Sequence, residues 1–265
     1  MDGILQIGPL ALAADRAIAV AAIWAFMAIA ALLATRLDSR ASRAGWVALL
    51  AGVVAARIGY VVGNLDAFMV DPWSMLAIWQ GGFSLLPGLL TAAFAIAIML
   101  GRKPAGIAML GTLAALALIH AGMASWLEPD PRPMPQLALA DLHGAETTLG
   151  AAGQPMVINL WATWCPPCRR EMPMLIDVAR TSDLPVLLAN QGEDRSTIRA
   201  FLRREGLPAG SILTDPEGRL ARAIASSALP TTLFVNAAGE IVAVHTGEIS
   251  RAALTSAIRD LQRTP

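Results

Sequence analysis

The sequence predicts a multi-domain chain: an N-terminal region of four transmembrane helices followed by a C-terminal α/β domain. Three observations predict it. Of 265 residues, 55% are hydrophobic and 15% charged, too apolar a balance for one ordinary soluble domain. The apolar residues crowd into the first half, whereas most charges lie in the second. Finally, the second half alternates strand-like and helix-like runs around one Cys-x-x-Cys motif.

A spanning helix needs roughly 20 apolar residues. Runs at about 17–34, 44–63, 84–100 and 105–127 come close to this, so residues 1–127 form the membrane region. The first run has no small-residue cleavage site before Arg36 and is expected to stay as a span. Arg36, Arg40 and Arg43 lie between the first two runs, and Arg102 and Lys103 between the last two. The middle loop carries Asp66 and Asp71 and no Lys or Arg. Positive loops stay cytoplasmic, which puts both the N-terminus and the C-terminal domain on the outer face; only Arg16 opposes this. The connection 64–82 holds Phe68, Trp73 and Trp79. It reads either as a half-embedded interfacial segment or as an amphipathic connector. Arg57 falls inside the second run, where a charge needs a partner or a purpose. Gly59 and Gly63 have GxxxG spacing, a candidate packing face.

Residues 128–136 alternate proline with other residues and read as a linker. In polyproline II geometry it reaches roughly 25 Å, at about 3.1 Å per residue. Residues 137–265 form the α/β domain. Met156–Trp161 reads as a buried strand leading directly into Cys165-Pro166-Pro167-Cys168. A helix follows, with Met172, Leu175, Ile176 and Ala179 on one face and prolines in its first turn. Then come a strand at 185–189, a helix capped by Asp194 and ended by Gly206, strands at 232–236 and 241–244 joined by Ala237-Ala238-Gly239, and a last helix capped by Ser250.

Cys165 and Cys168 are the only cysteines. A disulfide framework needs more, at wider spacing. Zinc needs two further ligands, and His120, His143 and His245 do not cluster with the pair, so no metal or other cofactor is expected beyond the redox-active disulfide. A cysteine at a helix N-terminus meets free N–H groups and partial positive charge, which lowers its pKa from about 8.5 to roughly 3.5–7.5. Cys165 is therefore the attacking thiol. Cys168, one turn further in, is the resolving thiol. Net charge is zero and basic residues are scattered, which argues against nucleic-acid binding.

Two resemblances add to this. The run from Asn159 through Trp164 and Cys165-Pro166-Pro167-Cys168 to Glu171 and Pro173, together with Leu229-Pro230-Thr231-Thr232, is similar to the membrane-anchored TlpA/ResA-like branch of thioredoxins, over about 135–263. It implies a thioredoxin fold, a cis Pro230 facing the disulfide and binding substrate backbone, and Asn159 in place of thioredoxin's buried acid. It also implies that Glu171 lies near the thiols and tunes them; the alternative is a solvated helix residue. Trp164 is expected to shield one side of the disulfide, and Trp161 to pack in the core. Ala56-Arg57-Ile58-Gly59-Tyr60-Val61 and Trp79-Gln80-Gly81-Gly82-Phe83-Ser84 resemble prolipoprotein diacylglyceryl transferase, over about 10–100. Where that family has a functional His-Gly-Gly, this chain has Leu86-Pro87-Gly88, and later family signatures are absent. Arg57 and Tyr60 are what remains, so the resemblance implies a truncated, transferase-like scaffold.

The resulting expectation is a multi-pass protein of the bacterial inner membrane with its redox domain on the periplasmic face. It would reduce disulfides of substrate proteins and be recharged by a separate membrane thiol donor, since the membrane half has no cysteine. A disulfide oxidase or isomerase, a lipoprotein-related lipid transferase in the membrane half, and a non-catalytic tether remain as alternatives.

Overall fold

The computed structural model describes residues 4–7, 10–127, 130–151, 153–226 and 228–263. The chain divides into two compact units: Met1–Asp66 with Gly81–Pro129, and Ala67–Gln80 with Asp130–Pro265.

In the first unit, strands β1 (Ile4–Ile7) and β2 (Leu10–Ala13) pair antiparallel ahead of α1 (Ala14–Arg36) and α2 (Arg40–Gly63). Helix α3 (Leu65–Val70) then leads into two 3-10 turns, Pro72–Leu76 and Ile78–Gln80, and from Ala67 to Gln80 this connection belongs to the second unit. Then come α4 (Leu85–Leu100) and α5 (Pro104–Leu127). Among the described residues, three helices are long and apolar enough to cross a membrane, while α4 is a shorter apolar helix of 16 residues. Large apolar side chains such as Trp24, Leu50, Ile58, Phe94 and Leu118 face outward. Inside sit mostly small ones, with Ala30, Ala41, Ala44, Ala48 and Ala92 packed around Ile96 and Met109. Hydrocarbon supplies no hydrophobic drive between helices, so small residues that let backbones approach dominate their contacts.

The seam between α2 and α4 shows how. A Cβ on Gly88 would lie 2.9 Å from Ala56 Cβ and 3.0 Å from the Gly52 carbonyl oxygen; one on Gly59 would lie 2.6 Å from Pro87. Gly63, the other half of the GxxxG spacing, has nothing within 4 Å. The packing stripe is therefore Gly52, Ala56 and Gly59. Arg57 finds its partners at the far end of this seam. Its guanidinium Nη1 donates to the carbonyls of Gly81 (2.6 Å) and Gly82 (3.0 Å), between the Tyr60 and Phe83 rings. Gly82 has φ +83°, and a Cβ there would lie 2.4 Å from the Tyr60 ring, so the turn demands glycine. At the opposite end, Lys103 bonds Asp38 at 2.8 Å, so the two basic loops share one end of the helices.

The second unit takes in the proline-rich segment from Asp130 onward. Glu128 and Pro129 lie outside the described residues. Beyond them, Arg132–Pro133 forms an edge strand, β3, and Met134 is buried in the core. Arg132 and Pro133 are drawn into the sheet by pairing with residues 240–241, and Met134 packs in the core cluster that holds Leu139 and Leu149. A hairpin follows, β4 (Leu137–Asp141) with β5 (Glu146–Leu149), then β6 (Met156–Trp161), α6 (Pro166–Thr181), β7 (Val186–Gln191), α7 (Arg195–Glu205), β8 (Ile212–Asp215), α8 (Arg219–Ala223), β9 (Thr231–Val235), β10 (Glu240–Thr246) and α9 (Arg251–Arg263). The strand order is β3-β10-β9-β6-β7-β8-β4-β5, with β6, β7 and β8 parallel.

Every residue of β6 is buried. Val157 and Trp161 face one core, with Met172, Leu175, Phe201 and Leu254; Ile158 and Leu160 face the other, with Leu139, Leu213 and Leu233. The expected caps form: Asp194 accepts from the Thr197 N–H at 2.8 Å, and Gly206 ends α7 in the left-handed conformation. The four-residue β8, α8 and the β4–β5 hairpin escape sequence reading, being too short to show a period.

Gly88→Val should loosen the α2–α4 seam and destabilise the helical unit by about 1–3 kcal/mol, as overpacking does. Gly111→Val, where nothing lies within 4 Å, should be neutral. Thermal unfolding of the two variants in the same detergent checks the contrast.

Candidate active site

Strand β6 ends at Trp161, and four residues later Cys165 stands as the N-cap of α6. Pro166 and Pro167 fill the first helical positions, where no N–H is needed. Cys165 and Cys168 are joined as a disulfide, with Cα atoms 5.3 Å apart. The Cys168 N–H donates to Cys165 Sγ at 3.3 Å, so a helix N-terminal amide points at the outer sulfur. Cys165 is 3% exposed and Cys168 fully buried, an asymmetry that leaves the first sulfur as the one a partner can reach. Trp164 is 68% exposed, and so does not lie folded into the core. Trp161 is wholly buried, donates from Nε1 to the Leu188 carbonyl at 3.2 Å and packs on Phe201.

Glu171 sits one turn past Cys168 and is 3% exposed, so the solvated alternative does not hold. Its Oε1 accepts from Asn159 Nδ2 at 3.0 Å, and its Oε2 from the Ile249 N–H at 2.9 Å. Burial pushes the carboxyl up to about 7, against the two hydrogen bonds that favour the anion; nearby Glu248 adds to the rise and Arg170 opposes it. Glu248 is itself gripped by Arg170 at 2.7 Å and accepts from Gln80 Nε2 at 2.9 Å. The Leu229-Pro230 bond is cis. Thr231 pairs with Leu160 and Thr232 with Asn159, so Pro230 falls at the end of β9 that lies beside the exit of β6 toward Cys165.

Sequence reasoning missed Glu193. Its carboxylate accepts from the Thr163 N–H (2.7 Å) and hydroxyl, and from Asn190 Nδ2 (2.7 Å). It thus braces the loop that carries Trp164 and Cys165. The signal lay in the parallel register, since Trp161 faces Asn190 and the residues just beyond each must meet. Among the described residues no His, Cys, Asp and Glu cluster could hold a metal. His245 Nε2 lies 3.3 Å from the Glu248 carbonyl. His120 Nδ1 has no hydrogen-bond partner among the described residues. An open cleft of about 580 Å³ lies between Ala138, Glu193, Arg195, Thr214 and Arg219, and contains neither cysteine.

A disulfide at the start of the helix that follows a central strand, with a cis-proline loop beside it, defines a thioredoxin-fold dithiol protein. The Redoxin family profile matches residues 130–260. The chain is 32% identical over 121 residues to the thiol-disulfide oxidoreductase ResA of Geobacillus kaustophilus, covering 44% of this chain and 69% of that one. It is likewise 32% identical over 145 residues to the thiol:disulfide interchange protein DsbE homolog of Paracoccus denitrificans, covering 49% and 80%. The crystal structure of a thiol:disulfide interchange protein from Chlorobium tepidum aligns with 50% of this chain and 97% of its own, at 21% identity and a TM-score of 0.43. The chain belongs to the ResA/DsbE family of thiol-disulfide oxidoreductases. The prolipoprotein diacylglyceryl transferase profile matches residues 3–126, a longer stretch than the quoted motifs suggest. With three helices among the described residues long and apolar enough to span a bilayer, the chain is a membrane-anchored protein carrying a thioredoxin-fold domain.

The sign of the Glu171 shift fixes a pH dependence. Its carboxyl binds a proton more tightly folded than unfolded, so its contribution to stability is full below pH 4.5 and is lost as pH rises through about 7. In the oxidised full chain, this unit should lose about 3 kcal/mol between pH 5 and 8 from this group. Glu171→Gln should flatten that slope. Urea unfolding followed by tryptophan fluorescence at the two pH values measures both.

Proposed function

We propose that this chain reduces disulfides of substrate proteins at the outer face of the bacterial inner membrane, through Cys165 and Cys168. One observation carries the reading: a nearly buried disulfide whose outer sulfur receives a helix N-terminal N–H. In the reduced enzyme that N–H would favour a Cys165 thiolate. The thiolate attacks one sulfur of a substrate disulfide, forming a mixed disulfide and releasing the first substrate thiolate. Cys168 then attacks Cys165 Sγ, releases the second substrate thiol and closes the Cys165–Cys168 disulfide. Two electrons pass from the dithiol to the substrate, and no external cofactor takes part. Glu171 supplies and takes up a proton during exchange, for which a carboxyl near 7 is suited. Pro230 offers its loop to the substrate backbone, and exposed Trp164 adds apolar contact beside Cys165.

The chain's only thiols are spent in one turnover, so a separate membrane dithiol protein must recharge them. In this reading, residues 1–127 are the membrane domain, 128–136 the connection and 137–265 the redox domain. Basic loops at 36–43 and 102–103 face the cytoplasm, which sets the redox domain on the periplasmic side. The membrane domain acts as a scaffold in the bilayer. Arg57 is engaged with the Gly81 and Gly82 carbonyls, and Leu86-Pro87-Gly88 supplies no histidine for lipid transfer.

The full chain, reduced and then mixed with a disulfide substrate, should convert it to dithiol. Cys165→Ser should lower the rate by at least about a hundredfold, in line with loss of the nucleophile. Cys168→Ser should instead accumulate mixed disulfide on non-reducing gels. The Cys165–Cys168 potential should lie below that of glutaredoxins, about −200 mV; a value near −120 mV would make the chain an oxidase.

A further inference from the structure

Asn159 is fully buried between Val157 and Trp161 on the face of β6 that meets α6. Its Nδ2 uses both hydrogens: one bond to Glu171 Oε1 at 3.0 Å, the other to Thr232 Oγ1 at 3.1 Å. Its Oδ1 is buried and has no hydrogen-bond partner among the described residues. This arrangement suits an ionised Glu171, which only accepts. Once protonated, Glu171 also needs an acceptor for its own hydrogen, and both of its hydrogen-bond partners are donors. Oε2 already faces a donor, the Ile249 N–H, so the acid proton belongs on Oε1, where it would meet a second donor in Nδ2.

We infer that the Asn159 side-chain amide is a two-position partner of Glu171, turning over when the carboxyl takes up a proton. Rotation by half a turn about the Cβ–Cγ bond exchanges the amide's poles. Oδ1 then accepts from the Glu171 hydroxyl and from the Thr232 hydroxyl, which can donate as well as accept. Asn159 makes two hydrogen bonds in either position; the turn exchanges an unpaired carbonyl oxygen for two unpaired N–H hydrogens. The unpaired Oδ1 in the present structure is then a feature of a group that serves two states. The charged groups facing Glu171 are Arg170 and Glu248, with the Cys165–Cys168 disulfide on the same helix. Neither charge is a hydrogen-bond partner of Oε1, so the accepting role falls to Asn159. Asn159 is thus a positioning residue, acting through Glu171 on the proton that exchange requires. The inference rests on the proton-handling role proposed for Glu171.

The test uses the full chain in detergent micelles, ¹⁵N-labelled at asparagine. Only Asn64, Asn159, Asn190 and Asn236 contribute side-chain amides, so assignment by single substitutions is practical. At pH 9 the Asn159 amide protons should show cross-peaks to the Thr232 methyl. At pH 5 these should vanish, with a midpoint that is absent in Glu171→Gln. Asn159→Leu should leave the proton affinity of Glu171 within about threefold, because the amide serves both forms. A fixed donor would instead stabilise only the anion, and its loss would raise that affinity by about tenfold or more. Cross-peaks that persist at pH 5, or that are absent at both pH values, overturn the inference, and this reading in the unsubstituted chain stands whether or not Asn159→Leu folds. Failure of the exchange reading itself would show separately, as disulfide reduction that survives Cys165→Ser.

Discussion

The burial of β6 on both faces is the constraint from which the redox unit is built. A strand covered on two sides must satisfy every backbone group through its neighbours, and β7 and β9 provide those ladders. Its alternation then assigns side chains without freedom: Val157, Asn159 and Trp161 to one face, Met156, Ile158 and Leu160 to the other. A slip of one residue would put Asn159 against Leu139 and Leu213 and remove it from Glu171. The same strand aims its C-terminal end at the start of α6, where Cys165 caps the helix. The position of the outer sulfur is therefore a consequence of core packing several residues earlier.

Around that sulfur, two opposing electrostatic arrangements coexist within one helix. The N-terminus of α6 presents amides to Cys165 and favours negative charge. One turn past Cys168, burial opposes negative charge on Glu171, and two hydrogen bonds and the Arg170 charge offset only part of that cost. Each bond comes from a different element, Asn159 on β6 and Ile249 before α9. Glu171 therefore ties helix, strand and loop together while keeping a proton affinity close to neutrality. Glu193 performs the mechanical counterpart on the other side, holding Thr163 in the loop through which β6 becomes α6.

The helical unit obeys different physics. Its core is lined with alanine and glycine and its perimeter with large apolar side chains, the reverse of the redox unit. Close approach, not expulsion of water, holds α2 to α4. Arg57, well inside this unit's second helix, is held by geometry: its guanidinium donates to the carbonyls of a glycine turn, where a side chain on Gly82 would meet the Tyr60 ring.

Much of this was legible in the sequence. The apolar runs, the strand before the cysteines, the helix after them, the Asp194 and Gly206 caps and the family resemblances all rest on local pattern, which a linear chain carries in full. The cysteine spacing alone determined that the two thiols act as a local pair. What escaped were the short, non-periodic pieces, β8 and the β4–β5 hairpin, whose existence depends on neighbours far away in sequence. The docking of Arg132–Met134 also escaped, because proline alternation describes an unpaired backbone and says nothing of a waiting sheet edge. Only tertiary structure decided that Glu171 is buried, that Asn159 and Ile249 are its donors, that Glu193 braces the active-site loop and that Arg57 is held by Gly81 and Gly82. Each of these joins residues brought together by folding, and burial and hydrogen bonding across such distances are properties of the packed chain alone.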